Sequence, residues 1–256
     1  MRQATTAWLV AGRKPDGELM RQYSSSEKEL RQSWAKDIFH PDCEEYRVHY
    51  ALTDYHANQS FDWLMSQYQE THRYYHNLNH LFHLFNTPFE RTDYGSSLIR
   101  TLFFFFHDCI YKIPSSTNEE DSATECEARL SSMGFVKSES VFNRHKGGET
   151  RDFVCETILL SKHTQPTNNT FQQELLDADL CILGGNPQEY KEYVTNIRTE
   201  YGVVPQNVWN EKRGEFLEFM LTKPRIFQSP LFYGLYEEQA RQNMSEELNK
   251  YTREQI

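Results

Sequence analysis

Apolar residues recur with helical spacing along most of the chain. Between residues 60 and 70 they lie three or four positions apart, as on one face of a helix. Segment 96–111 is apolar nearly all round, which predicts a buried central helix. Strand signals are scarce, because there is no Asn-Gly hairpin and no sustained alternation of apolar and polar residues. The pattern therefore predicts an all-α fold.

Cap and breaker residues bound the predicted helices. One of the serines at 24–26 is expected to cap a first helix that ends at His40-Pro41. Thr117 precedes Glu120 by three residues, a capping-box spacing, and Gly134 is expected to end that helix. Further helices are predicted over residues 78–87, 149–162, 170–183, 187–201, 205–221 and 230–251, with loops at 91–95, 112–116, 138–148, 164–169 and 223–229. We expect one all-α domain over residues 24–256 and an N-terminal extension over residues 1–23.

Composition narrows the class of protein. The chain has 256 residues, a formal charge of −10 and 14% aromatic residues, too many for a disordered chain. The acidic balance argues against duplex nucleic acid and anionic membranes as partners, because their binding relies on surplus Lys and Arg. A small phosphorylated molecule stays compatible, since a metal ion or a few local cations can supply positive charge. No apolar run approaches the roughly 20 residues of a membrane span, and no signal peptide is recognisable.

The five cysteines are dispersed, odd in number and never spaced as Cys-x-x-Cys. A disulfide framework and a thiolate zinc site are therefore not expected, and a reducing cytoplasm is the predicted location.

Histidines and carboxylates form the candidate chemistry. His76 and His80 are four residues apart, so on a helix their imidazoles share one face; a pair of solvated surface histidines is the alternative. His107 and Asp108 directly follow the most apolar stretch of the chain. A carboxylate there is costly to bury unless it is paired or bound to a cation, and the alternative is that the helix has ended and both side chains face water.

A third group is the Asp-Ala-Asp segment at residues 177–179. Asp179 falls near the apolar face of its predicted helix, and Asp177 lies about 200° around the helix from it. Alone, such a segment is most simply an exposed helix with two carboxylates. Together with the histidine clusters, it indicates mixed nitrogen and oxygen ligation of a divalent ion.

The order of these groups resembles a known signature. His80, then His107-Asp108, then Asp179 is similar to the H…HD…D signature of the HD-domain metal-dependent phosphohydrolases. Over roughly residues 60–245, the segments RYYHNLNH, FFFHDCIYKI, NEEDSA, LLDADLCILG, VTNIRTEYGVVP and EEQARQN resemble one subfamily of predicted HD phosphohydrolases. The pattern YHNxxH also resembles the cyclic-nucleotide phosphodiesterases of the same superfamily. The resemblance implies an HD-domain-like helical bundle with a metal site in its core.

The resemblance also implies roles for individual residues. His80, His107, Asp108 and Asp179 would be ligands of one divalent ion, namely Mn, Mg, Fe, Co, Ni or Zn. Two imidazoles and two carboxylates leave coordination positions open for water and a phosphate oxygen. The metal-bound water would be the nucleophile, and His76 would donate a proton to the leaving oxygen.

Five further residues are weaker candidates. Glu119 would orient the water or bind a second metal, although a helix dipole also favours Glu in a first turn. His163 would hold a second metal or a phosphate oxygen, as extra histidines do in some HD proteins; the dipole at a helix end is the alternative. Arg73, Lys112 and Lys162 flank the motifs and are candidate contacts for substrate phosphate, or simply surface residues.

The sequence thus predicts an enzyme, a metal-dependent phosphohydrolase of a small phosphorylated metabolite such as a nucleotide. Two alternatives stay open: a di-iron HD-type oxygenase, and a nucleotide-sensing HD module without turnover. Substrate identity, the metal and its number, and mono- against diesterase activity are not determined by the sequence. The oligomeric state, a homodimer included, and the role of residues 1–23 are also left open.

Overall fold

The structure, a computed structural model, describes residues 17–46, 53–136 and 146–253. Across these residues the chain forms ten α-helices, two short 3-10 helices and no β-strand. The helices are α1 Gly17–Ile38, α2 Thr53–Tyr68, α3 Leu78–Phe85, α4 Tyr94–Phe106, α5 Asn118–Ser132, α6 Gly147–Leu160, α7 Thr170–Leu180, α8 Pro187–Glu200, α9 Gln206–Thr222 and α10 Pro230–Arg253; the 3-10 helices are Pro41–Glu45 and Cys181–Gly184. The predicted all-α fold is confirmed.

Helix α4 is the centre of the N-terminal half. Its four consecutive phenylalanines, residues 103–106, point to all sides of the helix and are all fully buried. Burial of each contributes about 2–3 kcal/mol, so the helix must be covered all round. Helices α1, α3, α5 and α6 provide this cover, and Trp34 of α1 meets Phe105 edge-on at 5.3 Å. The expectation of a central buried helix is confirmed.

Helix α4 ends earlier than the predicted 96–111. Its last residue is Phe106, and His107 is its C-cap, with its N–H bonded to the Phe103 carbonyl. Asp108 therefore lies in the turn that follows the helix. Because the helix ends early, His107 and Asp108 lie at its C-terminal end in the core, next to the neighbouring helices.

Both ends of α5 agree with prediction, but the predicted capping hydrogen bond at its start is absent. Gly134 has φ 94°, and the N–H groups of Gly134 and Phe135 bond to the carbonyls of Ser131 and Leu130, as in a Schellman motif. Thr117 is the N-cap of α5, but its side chain accepts no capping hydrogen bond. The predicted capping box is therefore wrong.

A different contact fixes the α5 N-terminus. The Asn118 side chain accepts from the Lys112 N–H and donates to the Lys112 carbonyl, so it clamps the preceding turn.

The first helix also begins earlier than expected. Helix α1 starts at Gly17, so the serines at 24–26 lie inside it and the predicted cap is wrong. Residues 18–22 are Glu, Leu, Met, Arg and Gln, all good helix formers, which lets the helix extend past the serines. The rest of the predicted extension, residues 1–16, lies outside the described residues.

The helices predicted from residue 149 onward, and the helix predicted over 78–87, agree with the structure to within a few residues. Helix α2 begins at Thr53, seven residues before the helical spacing seen from residue 60. Most of the predicted loop 138–148 lies outside the described residues. No helix in the described ranges combines the length and apolar character that a membrane span needs.

Candidate metal centre

The four residues expected to ligate a metal converge in the core. His80 lies on α3, His107 and Asp108 follow α4, and Asp179 is near the end of α7. One ligand atom from each lies within 4.8 Å of the others. Both histidine side chains are 1% exposed, whereas Asp108 and Asp179 are 15% and 18% exposed, so solvent reaches the group on its carboxylate side.

The separations between these atoms fit a single divalent ion. The Nε2 atoms of His80 and His107 are 3.1 Å apart. Asp108 Oδ2 is 3.2 Å from His107 Nε2, and Asp179 Oδ1 is 3.5 Å from the Nε2 atoms of both histidines. Neighbouring ligands of an octahedral ion with bonds of about 2.1 Å lie roughly 3 Å apart. The separations between the four donor atoms are therefore close to those expected around one bound ion.

A local backbone contact orients the imidazole of His107. His107 Nδ1 is 3.0 Å from the Phe104 carbonyl, so Nδ1–H donates there and Nε2 is left for the group. Such an outer hydrogen bond fixes the tautomer of a metal-ligating histidine. His80 presents Nε2 in the same way, but its buried Nδ1 has no hydrogen-bond partner in the described part of the chain.

The electrostatics of the group favour a cation. Burial opposes the charged imidazolium of His107, but the two aspartates outweigh burial and raise its pKa well above the usual value. Burial and the charge of His107 lower the pKa of His80 to about 3. Burial disfavours the charged carboxylates, yet the neighbouring imidazoles keep the pKa of Asp108 and of Asp179 below the usual range. The two carboxylates thus favour positive charge at the centre of the group, which is where a divalent ion would bind.

His76 lies beside this group and is held by a residue that sequence reasoning missed. Its Nε2 is 3.7 Å from Asp108 Oδ2. Its Nδ1 is 2.8 Å from Oε2 of Glu200, whose Oε1 also accepts the N–H groups of Tyr75 and His76. The Glu200 side chain is fully buried at the end of α8. Burial alone would lower the pKa of His76, but Glu200 and Asp108 outweigh it and raise that pKa.

Tyrosine rings complete the wall around His76. The Tyr111 ring lies 4.1 Å from the His76 ring at an interplanar angle of 31°. Tyr75 contacts the rings of both His76 and His80 edge-on or tilted. Packing of these rings limits the rotation of His76 about its side-chain bonds.

The structure brings His163 to the group as well. His163 follows the end of α6, and its Nε2 is 3.4 Å from Asp179 Oδ2. It has φ 53°, the one non-glycine residue in the described ranges with a positive φ. A left-handed conformation at such a residue is unfavourable and persists only where the surroundings hold it.

Glu119 and Lys162 are near the site but outside the four-residue group. Glu119 is half-buried in the first turn of α5, and burial, with a further contribution from Asp108, raises its pKa. Lys162 Nζ lies 3.9 Å from Glu119 and forms a closer ion pair with Glu120. The charge of Lys162 is therefore largely matched by acidic neighbours.

The placement of Arg73 and Lys112 does not fit the expected phosphate contacts. The Arg73 guanidinium is fully buried and donates to Glu70 and to the carbonyls of His76, Asp108 and Cys109. These bonds fix the turn that carries Asp108 and leave no face for a ligand. Lys112 is 68% exposed and pairs with Asp121 on the surface.

Asp177 is not the exposed carboxylate that its sequence neighbourhood indicates. It is buried, and its two oxygens accept the N–H groups of Gln228 and Ser229 at 2.9 and 2.7 Å. It ties the loop before α10 to α7. The turn of helix that carries Asp179 is thereby anchored from the other side.

Comparison of the chain with protein-family models, curated proteins and solved structures finds no match. The geometry and chemistry of this site are therefore the basis for assigning a function.

Proposed function

We propose that the protein is a metal-dependent phosphohydrolase that acts on a phosphate ester of a small metabolite. The observation that carries the proposal is the convergence of His80, His107, Asp108 and Asp179 beside the partly buried His76. The resemblance to HD phosphohydrolases supports the same reading. A nucleotide or a related phosphate is the substrate class that we favour.

The four converging residues would hold one divalent ion. When bound, such an ion supplies a water of lowered pKa as nucleophile and polarises the phosphoryl oxygens. The chain itself determines where this chemistry takes place. Buried His80 and His107 form the closed side of the group, while the partly exposed Asp108 and Asp179 face the side from which a substrate enters.

His76 would donate a proton to the leaving oxygen. Its Nδ1 is bonded to Glu200, so its Nε2 is the atom left to face the substrate side of Asp108. Glu200 and Asp108 raise the pKa of His76, which favours the protonated imidazole that a proton donor needs. An acid held in position by fixed neighbours is ready for proton transfer without reorganisation.

Glu119 and His163 would act on the entry side. Glu119, in the first turn of α5, would accept a hydrogen bond from the attacking water. His163 Nε2, next to Asp179, would contact a phosphate oxygen. Both are proposals for roles outside the ligand set.

The single group of converging ligands among the described residues favours hydrolysis over the two-iron oxygenase. A di-iron site needs a second set of ligands at coordination distance. A nucleotide sensor without turnover would use the same four ligands and differs only in the absence of product.

The proposal is tested by hydrolysis of a panel of phosphomonoesters and phosphodiesters in the presence of Mn, Mg, Co or Ni. We expect turnover of at least one ester, and a loss of about 100-fold or more for His80→Ala, because activation of the water needs the metal. His83→Ala is the matched control, since His83 lies on the same helix with an exposed side chain. Equal rates for wild type and His80→Ala would show that the site is assigned wrongly. Nucleotide binding with no turnover under any metal would favour the sensor.

A further inference from the structure

Lys223, which was not among the site residues predicted from the sequence, places its ammonium group next to His163. It is the C-cap of α9, and its Nζ donates to the backbone carbonyl of His163 at 2.8 Å. It lies 4.8 Å from the centre of the Phe219 ring. The side chain is half-buried, and burial lowers the pKa of its ammonium.

The backbone of Lys223 is held firmly. Its carbonyl accepts a hydrogen bond from Arg241 of α10 at 2.8 Å. The residues that follow are tied by two buried carboxylates, since Glu237 accepts from the Ile226 and Phe227 N–H groups and Asp177 accepts from the next two. The backbone position of Lys223 is therefore set by contacts from α7 and α10 together.

Lys223 is linked to the metal group through one residue. The carbonyl of His163 accepts its hydrogen bond, and the imidazole of His163 lies 3.4 Å from Asp179. The Lys223 ammonium is therefore two contacts away from Asp179, by way of the backbone carbonyl and the imidazole of His163.

The charge of Lys223 differs from that of the other cations near the site. Arg73 is buried and each of its three side-chain nitrogens donates to the protein, while Lys112 and Lys162 pair with acidic side chains. Lys223 forms no ion pair with any carboxylate in the described part of the chain, and one hydrogen bond is its only contact with a protein acceptor. A half-buried ammonium without a counter-charge is unfavourable unless it meets an anion.

A positive charge near the C-terminus of α6 is favoured by the helix dipole, and this effect would account for the contact of Lys223 with His163. It does not account for the absence of an acidic partner in a chain with ten more acidic than basic residues.

We propose that Lys223 binds a second anionic group of the substrate. The site would then prefer phosphate esters that carry a further carboxylate or phosphate over esters of neutral alcohols. This inference rests on the proposed function, because it takes the metal group as the place where the first phosphate binds. Lys223 is a specificity-determining residue in this account.

Three non-hydrolysable probes with the same four-carbon chain test the inference. Butylphosphonate has one anionic group, 5-phosphonopentanoate adds a carboxylate, and 1,4-butanebisphosphonate adds a second phosphonate. We would measure their Kd values by calorimetry with the full chain in the presence of Mn²⁺. For wild type we expect at least one of the two longer probes to bind about tenfold more tightly than butylphosphonate, as one charge-assisted hydrogen bond provides. The tighter of the two identifies the second group as carboxylate or phosphate.

The variants decide whether Lys223 is responsible. We expect Lys223→Met to abolish the preference while leaving the Kd of butylphosphonate within about twofold, and Lys223→Arg to retain it, since charge is kept. Lys212→Met is the matched control, because Lys212 is an exposed lysine on the same helix. Lys223→Gln replaces Lys223→Met if the unfolding midpoint of the latter has fallen.

Equal affinities in wild type, no binding of any probe, or a preference that survives Lys223→Met would overturn the inference. Failure of the proposed function is a different result. In that case no phosphate ester is hydrolysed, while the preference for doubly anionic probes and its loss in Lys223→Met remain.

Discussion

Glu200 shows how much of this site depends on one distant carboxylate. It accepts three hydrogen bonds from the Tyr75–His76 turn, yet it is 124 residues away from His76 along the chain. It fixes the backbone of the turn and the tautomer of the imidazole together. A residue with this role acts through His76 and is a positioning residue.

We expect Glu200→Gln to lower kcat about 10- to 100-fold, because a weakened outer hydrogen bond leaves the proton donor misaligned. KM and bound metal should change little, since no ligand is touched. Steady-state kinetics with metal analysis would check this, and Glu192→Gln on the same helix is the control. A loss of metal together with activity would show that Glu200 supports the ligands instead.

Two substitutions at His163, the residue that follows the end of α6, distinguish the effect of its backbone conformation from the effect of its side chain. His163 has φ 53°, a conformation that glycine adopts freely and alanine does not. We expect His163→Gly to be more stable to urea than His163→Ala by about 1 kcal/mol. Both variants should lose activity to a similar extent, because both remove the imidazole next to Asp179. Equal stabilities would mean that the turn relaxes when the histidine is removed.

At the scale of elements, the C-terminal helices are joined by buried polar groups. The Glu247 carboxylate of α10 accepts two hydrogen bonds from Arg213 of α9 and one each from Tyr190 and Tyr251. Burial disfavours the charged carboxylate, but the Arg213 guanidinium outweighs it and lowers the pKa of Glu247. The same framework holds α8, and therefore Glu200, against the site.

This framework gives a pH-dependent contribution to stability. Folding lowers the pKa of Glu247 below its value in the unfolded chain, which is about 4.3. The ionised carboxylate therefore stabilises the fold fully at pH values above about 4.3, and this stabilisation is lost as the pH falls through the folded-state pKa. We expect Glu247→Gln to cost about 3 kcal/mol in free energy of unfolding at pH 7, since it leaves Arg213 buried without a counter-charge. Urea unfolding at pH 7 and pH 4 would show the difference from wild type narrowing at the lower pH. Exposed Glu246→Gln is the control, and a difference that widens toward pH 4 would contradict the assignment.

At the scale of the whole molecule, the sequence predicts what is local or periodic. Helical spacing located most helices, and the unbroken apolar run of residues 102–106 predicted the buried centre of the fold. The convergence of His80, His107, Asp108 and Asp179 was predicted from the resemblance of their order along the chain to the HD signature. Their shared location in the core is confirmed.

Contacts between distant segments were not predictable in the same way. Glu200 and Asp177 are ordinary helix carboxylates in sequence, and their burial depends on which backbone N–H groups the fold leaves without partners. Arg73 was expected to meet phosphate because it flanks a motif. The fold instead uses its donors for the carbonyls of the turn after α4. In each of these three residues a tertiary hydrogen bond determines the role of the side chain, and such a bond cannot be predicted from spacing along the chain.

The measurement that tests the account most directly is the number of divalent ions bound per chain. We would load wild type, His107→Ala and His83→Ala with Mn²⁺, remove excess ion and determine the metal by mass spectrometry. The account predicts one ion per chain in wild type and His83→Ala, and none in His107→Ala, because His107 Nε2 is central to the four donors. An ion retained by His107→Ala, or none bound by wild type, would contradict it.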